Sequence, residues 1–307
     1  MKKVYFYVVL TAFLFGTMEV ALKLVGSHLD AFQLTFLRFA IGGILLLPFA
    51  VTEMKKNHVK LSVKDLLQLL FVGTLGIPVS MVLFQMGVMH SNASTASVLI
   101  SINPLFTMVF AHFFAGEKLD RRKMMVLFIG ILGIIFMIKP WNLQEGNTVE
   151  GTIYMLLAAI TFGGYTVAGK VSVKKIGLMA QTSISFILGS LVLLVVIAVM
   201  GRPVLAGVAE QLPLVLYVGI FVTGLGYFSY FKAIKMSDAS TGSLAFFLKP
   251  AIAPVIAVIV LRETILWNTY TGIILILAAS YLNIKFSKKD EEINKRFEQG
   301  NDNKDIQ

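Results

Sequence analysis

Two stretches of the chain, NASTASVLISINPL at residues 92–105 and DASTGSLAFFLKPA at residues 238–251, decide the fold. Their first six residues match in size and polarity, and a proline then follows Asn103 in one stretch and Lys249 in the other. Self-similarity at a fixed offset is the signature of an internal repeat. The chain is therefore predicted to contain two equivalent halves.

The match extends over most of the chain when it is shifted by 146 or 147 positions. The further coincidences are Phe15-Gly16 on Phe162-Gly163, Lys23 on Lys170, Thr35, Phe39 and Gly42 on Thr182, Phe186 and Gly189, and Gly116-Glu117 on Arg262-Glu263.

The composition indicates an integral membrane protein. The 307 residues are 57% hydrophobic and only 14% charged, and the mean hydropathy is +0.80. Soluble domains carry about 25% charged residues, and a membrane-spanning helix needs about 20 mostly apolar residues. Ten such segments lie near residues 4–25, 30–51, 66–88, 94–114, 123–140, 151–171, 178–200, 211–231, 239–260 and 266–285.

The fold class predicted from these segments is all-α, with ten transmembrane helices. Each half contains five spans, an odd number, so equivalent helices cross the bilayer in opposite directions. This arrangement is an inverted 5+5 repeat, which is typical of secondary transporters. The predicted units are residues 1–145, residues 146–286 and a polar tail at 287–307.

The net charge of +10 indicates orientation in a membrane rather than nucleic-acid binding. Cytoplasmic loops collect Lys and Arg, and here one side receives nearly all of them. The other side receives only Lys139, Arg202 and Arg262. Both termini are therefore predicted to be cytoplasmic, in a multi-pass protein of the cell membrane.

Several classes of function are disfavoured. The chain has no cysteine, and no two of its four histidines have metal-ligand spacing, so neither a metal site nor a cofactor is expected. A membrane enzyme needs paired carboxylates, a histidine cluster or a nucleophile with its base, and a channel favours a repeated pore-lining charge. Neither pattern is recognised. Without a Walker-type loop, the energy source is expected to be a solute or ion gradient.

The chain resembles the EamA-type drug/metabolite transporter superfamily. The residues that carry this resemblance are Phe15-Gly16-Thr17 with Lys23, Leu37-Arg38-Phe39, Ser94-Thr95-Ala96, Asn103-Pro104-Leu105, Gly116-Glu117-Lys118-Leu119, Ala239-Ser240-Thr241, Lys249-Pro250 and Arg262-Glu263. The resemblance implies a ten-helix carrier for a small-molecule solute, often an exporter of amino acids or other metabolites. It also implies a central cavity lined by the first, third, fourth, sixth, eighth and ninth helices.

Lys249 is the strongest candidate for a substrate-binding residue. A charge at the bilayer centre costs about 2.5 to 3.5 kcal/mol on translocon scales, and Lys249 lies too deep to reach either surface easily. Pro250 also leaves the carbonyl of Phe246 without its helical partner. The alternative is a buried ion pair that only ties helices together. Asn103, its repeat mate, is expected to face Lys249 or to hydrogen-bond within its own bundle.

Glu19 is the second charged candidate, and it lies about 6 Å from the centre of the first span. It is a counter-ion for Lys249, a ligand for a cationic amine, or a proton carrier, which makes a proton a candidate coupling ion. If Glu19 and Lys249 both face the cavity, an amino acid complements both charges. In the runner-up interpretation, Glu19 binds cationic or quaternary amines and Lys249 is structural.

The remaining polar residues at membrane depth are assigned as follows. Arg38 is predicted to be structural, and Lys23 and Lys170 are expected to reach the headgroups. The neutral candidates for the binding site are Gln85, Tyr165, Tyr227 and Tyr230. The substrate remains open, as does the choice between monomer and homodimer.

Overall fold

The computed structural model describes residues 2–116, 121–138, 145–236, 239–279, 281, 282 and 285. The predicted tail at 287–307, the Glu117-Lys118-Leu119 motif and Lys139 lie outside these residues. The helices are α1 (Lys2–Gly16), α2 (Met18–Gly26), α3 (Ala31–Lys56), α4 (Val63–Thr74), α5 (Val82–Met89), α6 (Ala93–Ile100), α7 (Asn103–Ala115), α8 (Arg121–Ile138), α9 (Val149–Ile176), α10 (Leu178–Val199), α11 (Leu212–Leu216), α12 (Gly226–Met236), α13 (Ala239–Leu261) and α14 (Trp267–Ala279).

The described part of the chain is helical and contains seven helical stretches that are long and apolar enough to cross a membrane. These are Lys3–Gly26, Ala31–Lys56, Val63–Met89, Ala93–Phe114, Val149–Lys170, Leu178–Val199 and Leu212–Ala233. The other three predicted segments coincide with α8, α13 and α14. Helix α8 begins with three basic residues, and the apolar stretches of the other two, Leu248–Leu261 and Trp267–Ala279, are short. Ten crossings therefore remain a prediction.

Equivalent helices of the two halves make equivalent contacts. Helix α1 in the first predicted span packs against α13 in the ninth, and α7 in the fourth packs against α9 in the sixth. Likewise, α12 in the eighth span packs against α1, as α5 in the third packs against α9. The second and seventh spans, α3 and α10, pack directly against each other.

Two glycines bring α4 and α10 into backbone contact. A Cβ atom on Gly73 would lie 2.3 Å from the backbone oxygen of Ser185, and one on Gly189 would lie 2.4 Å from the oxygen of Gly73. Small residues allow transmembrane helices to approach in this way. The closeness of these two helices therefore depends on both glycines.

The third and eighth spans each contain wider, π-helical turns. They run over Leu75–Met81, which includes Pro78, and over Tyr217–Leu225. The two segments overlap when one half is laid on the other at the offset of the repeat. Such turns are rare and often occur at functional sites.

The fourth span is interrupted where the sequence places Asn103-Pro104. Helix α6 ends at Ile100, and the amides of Ser101 and Ile102 donate to the oxygens of Val98 and Leu99, three residues back. Pro104 then lies in the first turn of α7, where a missing amide hydrogen is tolerated. The proline thus restarts a helix here, whereas Pro250 lies inside the described helix α13.

Candidate functional site

The Phe15-Gly16-Thr17 motif positions Glu19. A Cβ atom on Gly16 would lie 2.6 Å from Cγ2 of Ile252, so the absence of a side chain allows α13 to approach α1. Thr17 lies at the junction of α1 and α2, and its hydroxyl donates to the oxygen of Leu14 and lies 2.7 Å from the hydroxyl of Tyr217. Glu19 follows on the first turn of α2, where it faces α13.

Glu19 and Lys249 form a buried ion pair between the two halves. The Lys249 Nζ atom lies 2.6 Å from Glu19 Oε1, and the two side chains are 3% and 0% exposed. Lys249 interacts with the Glu19 carboxylate both through its charge and as a hydrogen-bond donor. The Oε2 atom has no hydrogen-bond partner of normal geometry among the described residues, so it retains acceptor capacity.

Arg38 lies in the same buried region, on α3. Its guanidinium contacts the sulfur atoms of Met18 and Met81 at 3.9 and 3.5 Å, and its Cζ atom lies 4.3 Å from the centroid of the Phe39 ring. The Phe84 centroid lies 5.7 Å from the Arg38 Cζ atom and 5.9 Å from Lys249 Nζ. One aromatic ring is therefore shared by two buried cations.

Tyr227 is the tyrosine candidate that lies near Arg38, and Tyr165 and Tyr230 lie near Tyr227. The Tyr227 ring packs edge-on against Phe15 and Phe186, with centroid distances of 5.3 and 5.1 Å. These aromatic residues come from the first, sixth, seventh and eighth spans. They form an aromatic wall beside the charged groups.

Gln85 is buried and joins the third span to the first. Its Nε2 atom donates to the backbone oxygen of Leu22, one turn beyond Glu19, at 3.3 Å. Its Oε1 atom has no hydrogen-bond partner among the described residues. Gln85 thus lies one helical turn from Glu19, and its Oε1 atom remains an acceptor without a partner among the described residues.

Asn103 is not brought to Lys249 by the described contacts. It begins α7, which packs mainly against α9, whereas Lys249 lies on α13, which packs mainly against α1 and α6. The reason is the break at residues 101 and 102, which separates α7 from the half of the span that approaches α13. Asn103 as a ligand remains a prediction.

A second polar contact between the two halves, made by hydrogen bonds, lies at the start of α6. The Glu263 carboxylate, from the segment after α13, accepts hydrogen bonds from the amides of Ala93 and Ser94 at 2.6 and 3.1 Å and from the Ser94 hydroxyl at 2.7 Å. Lys23 lies 3.8 Å from the same carboxylate and donates to the backbone oxygen of Ser91. Lys23 therefore points into the protein, contrary to the expectation that it reaches headgroups.

The sequence predicted a structural role for Arg38 and did not predict that Arg38 lies near Glu19 and Lys249. A signal was present in the repeat, because the equivalent position in the second half is Ser185. Glu19 and Lys249 are also charged where their repeat mates, Thr166 and Asn103, are neutral. Each of the three buried charged residues therefore has an uncharged residue at the equivalent position of the other half.

The chain matches the model of the EamA-like transporter family twice, over residues 2–139 and 149–285. These two matches confirm the predicted pair of repeats. A solved crystal structure with a TM-score of 0.64 covers 95% of this chain and 99% of its own, at 15% identity, and so supports the fold alone.

Two relatives illustrate the similarity to known transporters. An uncharacterised transporter from Clostridium kluyveri is 35% identical over 302 residues, which cover 96% of this chain and 97% of the relative. A protein from Rickettsia bellii named an S-adenosylmethionine uptake transporter is 28% identical, with coverage of 88% and 89%. The chain therefore belongs to the EamA-like transporter family.

Proposed function

We propose that the protein is a secondary active carrier that exports small organic metabolites such as amino acids across the cytoplasmic membrane by alternating access. The single observation that carries the proposal is the buried Glu19–Lys249 pair, which joins the first and second halves. Rocking of one repeat against the other exposes a midplane site to alternate sides. A charge pair between the repeats supports this proposal, because it joins the two parts that are proposed to move against each other.

The proposed architecture is ten spans in an inverted 5+5 repeat, with units at 1–145 and 146–286. The equivalent contacts of α1 with α13 and of α7 with α9 support it, as do the overlapping π-helical turns. The chain is proposed to work as a monomer or homodimer, without a cofactor or enzymatic activity. Counterflow separates a carrier from a channel, because only a carrier exchanges labelled solute faster when unlabelled solute is present on the far side.

Both termini are proposed to be cytoplasmic, and the absence of cysteine makes this directly testable. Asn57 and Leu205 are exposed and lie on opposite sides of the proposed topology. In intact cells, a membrane-impermeant maleimide is expected to label the Leu205→Cys variant and not Asn57→Cys. The reverse pattern contradicts the orientation.

Amino acids fit the site because it contains buried groups of both charges. The test is counterflow of each labelled amino acid in proteoliposomes loaded with an unlabelled mixture. Lys249→Ala is expected to abolish exchange of a substrate that bears a carboxylate, because it removes the cation that lies against Glu19 in the proposed site. Lys175→Ala, at an exposed position, is the matched control. Undiminished exchange by Lys249→Ala contradicts the proposal.

Cationic or quaternary compounds are the second candidate, favoured by the free Oε2 atom of Glu19 and by the aromatic wall. The cationic S-adenosylmethionine named for the Rickettsia relatives belongs to this class. Aromatic faces near Tyr165 and Tyr230 attract such cations. Labelled S-adenosylmethionine is expected to exchange in wild type and not in Glu19→Gln, with Glu210→Gln as the exposed control. Equal exchange by both variants excludes Glu19 as the ligand.

A proton is the proposed coupling ion, with Glu19 as its carrier. An imposed pH gradient is then expected to drive net solute movement in wild-type proteoliposomes. Glu19→Gln is expected to lose this response. A response that persists in the variant rules out Glu19 as the proton carrier.

A further inference from the structure

Arg38 is a buried cation that forms no ion pair with any of the residues that the structure describes. Its side chain is 2% exposed, and its guanidinium contacts two thioether sulfurs and two aromatic faces. Its Nε atom has no hydrogen-bond partner among the described residues. Thioether sulfur is only a weak acceptor, so these contacts do not replace the hydrogen bonds that the guanidinium makes in water.

This environment is costly for a charge. Burial of an ion carries an effective penalty of several kcal/mol even after relaxation, and arginines are almost never fully buried unless they are paired. Glu19 interacts electrostatically with Arg38, but its carboxylate lies against Lys249 at 2.6 Å. The cluster of Glu19, Lys249 and Arg38 thus holds two positive charges and one negative charge.

We propose that Arg38 binds the carboxylate of the transported solute and that Lys249 is the counter-ion of Glu19. This assignment rests on the proposed carrier function and narrows its substrate class to small organic acids and zwitterions. A guanidinium presents its N–H donors in a fork that matches the two oxygens of a carboxylate. The bound solute would supply the ion-pair partner that Arg38 does not find among the described residues.

The neighbours of Arg38 suit this role. Met18 and Met81 have flexible, polarisable side chains that can move aside for a ligand. The Phe84 ring lies within 6 Å of both cations and provides an apolar surface for the body of the solute. In a zwitterion, the ammonium group would be accepted by Glu19 Oε2, which receives no hydrogen bond from the described residues.

The first experiment uses acetate, which carries a carboxylate and little else. Thermal unfolding of the purified protein is measured in increasing sodium acetate against sodium chloride at equal ionic strength, because a ligand that binds the folded state raises its stability. Acetate is expected to stabilise wild type, to stabilise Arg38→Lys less, and not to stabilise Arg38→Met. Lys175→Met is the control and should respond as wild type does. An equal response in wild type and Arg38→Met, or no response in wild type, overturns the proposal.

The variants are expected to fold. Burial of an ion carries a penalty of several kcal/mol, and removal of Arg38 breaks no ion pair among the described residues, so Arg38→Met without acetate should be at least as stable as wild type. Arg38→Lys keeps the charge and removes only the fork, and it tests the same role if Arg38→Met is poorly produced.

A second experiment separates this proposal from the carrier function itself. Counterflow is measured with each amino acid and with its carboxamide, which lacks the negative charge. Loss of one charge-assisted contact is expected to weaken binding about 10- to 100-fold, both for the amide in wild type and for the amino acid in Arg38→Met. Equal exchange of acid and amide overturns the role of Arg38 and leaves the carrier proposal intact. Failure of every amino acid to exchange, with an Arg38-dependent acetate effect, overturns the amino-acid proposal and leaves the role of Arg38 intact.

Discussion

Lys249 on α13 and Glu19 on α2, 230 positions apart in the sequence, lie with Nζ and Oε1 separated by 2.6 Å inside the protein. The pair connects the two repeats through their charged side chains, and Arg38 lies beside it with no ion-pair partner in the described part of the chain. The cluster of Glu19, Lys249 and Arg38 therefore combines an ion pair with a second, unpaired cation among the described residues. Mutation of the Glu19–Lys249 pair is expected to lower the stability of the fold, whereas replacement of Arg38 by methionine is not.

Removing Glu19 is expected to destabilise the fold by about 3–5 kcal/mol, because Lys249 is then a buried charge without its counter-ion. Removing Lys249 is expected to cost less, because Arg38 still interacts electrostatically with Glu19. The single variants are Glu19→Gln and Lys249→Met, and the double variant removes both charges. The double variant should recover much of the loss, and equilibrium unfolding in mixed detergent micelles measures all three free energies. If the loss of unfolding free energy in the double variant equals the sum of the losses in the two single variants, the two side chains are not energetically coupled.

The Glu263 carboxylate is expected to stabilise the start of α6. Glu263→Ala leaves the amides of Ala93 and Ser94 without their acceptor, and buried unsatisfied donors cost about 1–3 kcal/mol. The measurement is the free energy of unfolding, with Glu210→Ala at an exposed site as the control. If Glu263→Ala and Glu210→Ala lower the free energy of unfolding by the same small amount, the Glu263 hydrogen bonds do not stabilise the contact between the two halves.

The contact of α4 with α10 predicts a sharp difference between glycines. Gly73→Ala would place its new Cβ atom 2.3 Å from a backbone oxygen, so the helices must separate. Gly164→Ala is the control, because the nearest atom to its Cβ would lie 3.7 Å away. A lower melting temperature is expected for Gly73→Ala alone. Similar melting temperatures would show that the α4–α10 contact adapts without cost.

The Asp65–Lys175 pair is the exposed counterpart of the buried pair. Its atoms also approach to 2.6 Å, but the Lys175 side chain is 55% exposed. Exposed pairs contribute little and are screened by salt. Lys175→Met is therefore expected to lower the melting temperature slightly in dilute buffer and not at all in concentrated salt. An effect as large as that of Lys249→Met, or one that survives salt, would contradict this expectation.

Much of the architecture follows from local patterns. Apolar segments predict helices, because a chain in lipid must satisfy its backbone hydrogen bonds internally. The matching stretches at 92–105 and 238–251 predict the repeat. Local sequence also indicated Glu19 and Lys249 as candidates, because each is a charged residue within an apolar segment. The repeat left two alternatives for Asn103, facing Lys249 or hydrogen-bonding within its own bundle, and the break before Pro104 directs α7 towards α9.

The sequence by itself determined that this is a helical membrane protein of two repeats with a few charges at membrane depth, because hydropathy and repetition are properties of neighbouring residues. Only the tertiary structure decided how those charges are matched. It brought Glu19 to Lys249 and left Arg38 among sulfur atoms and aromatic rings. The physical reason is that the free energy of a buried charge depends on what lies within a few ångströms of it, and helices far apart in sequence supply those neighbours.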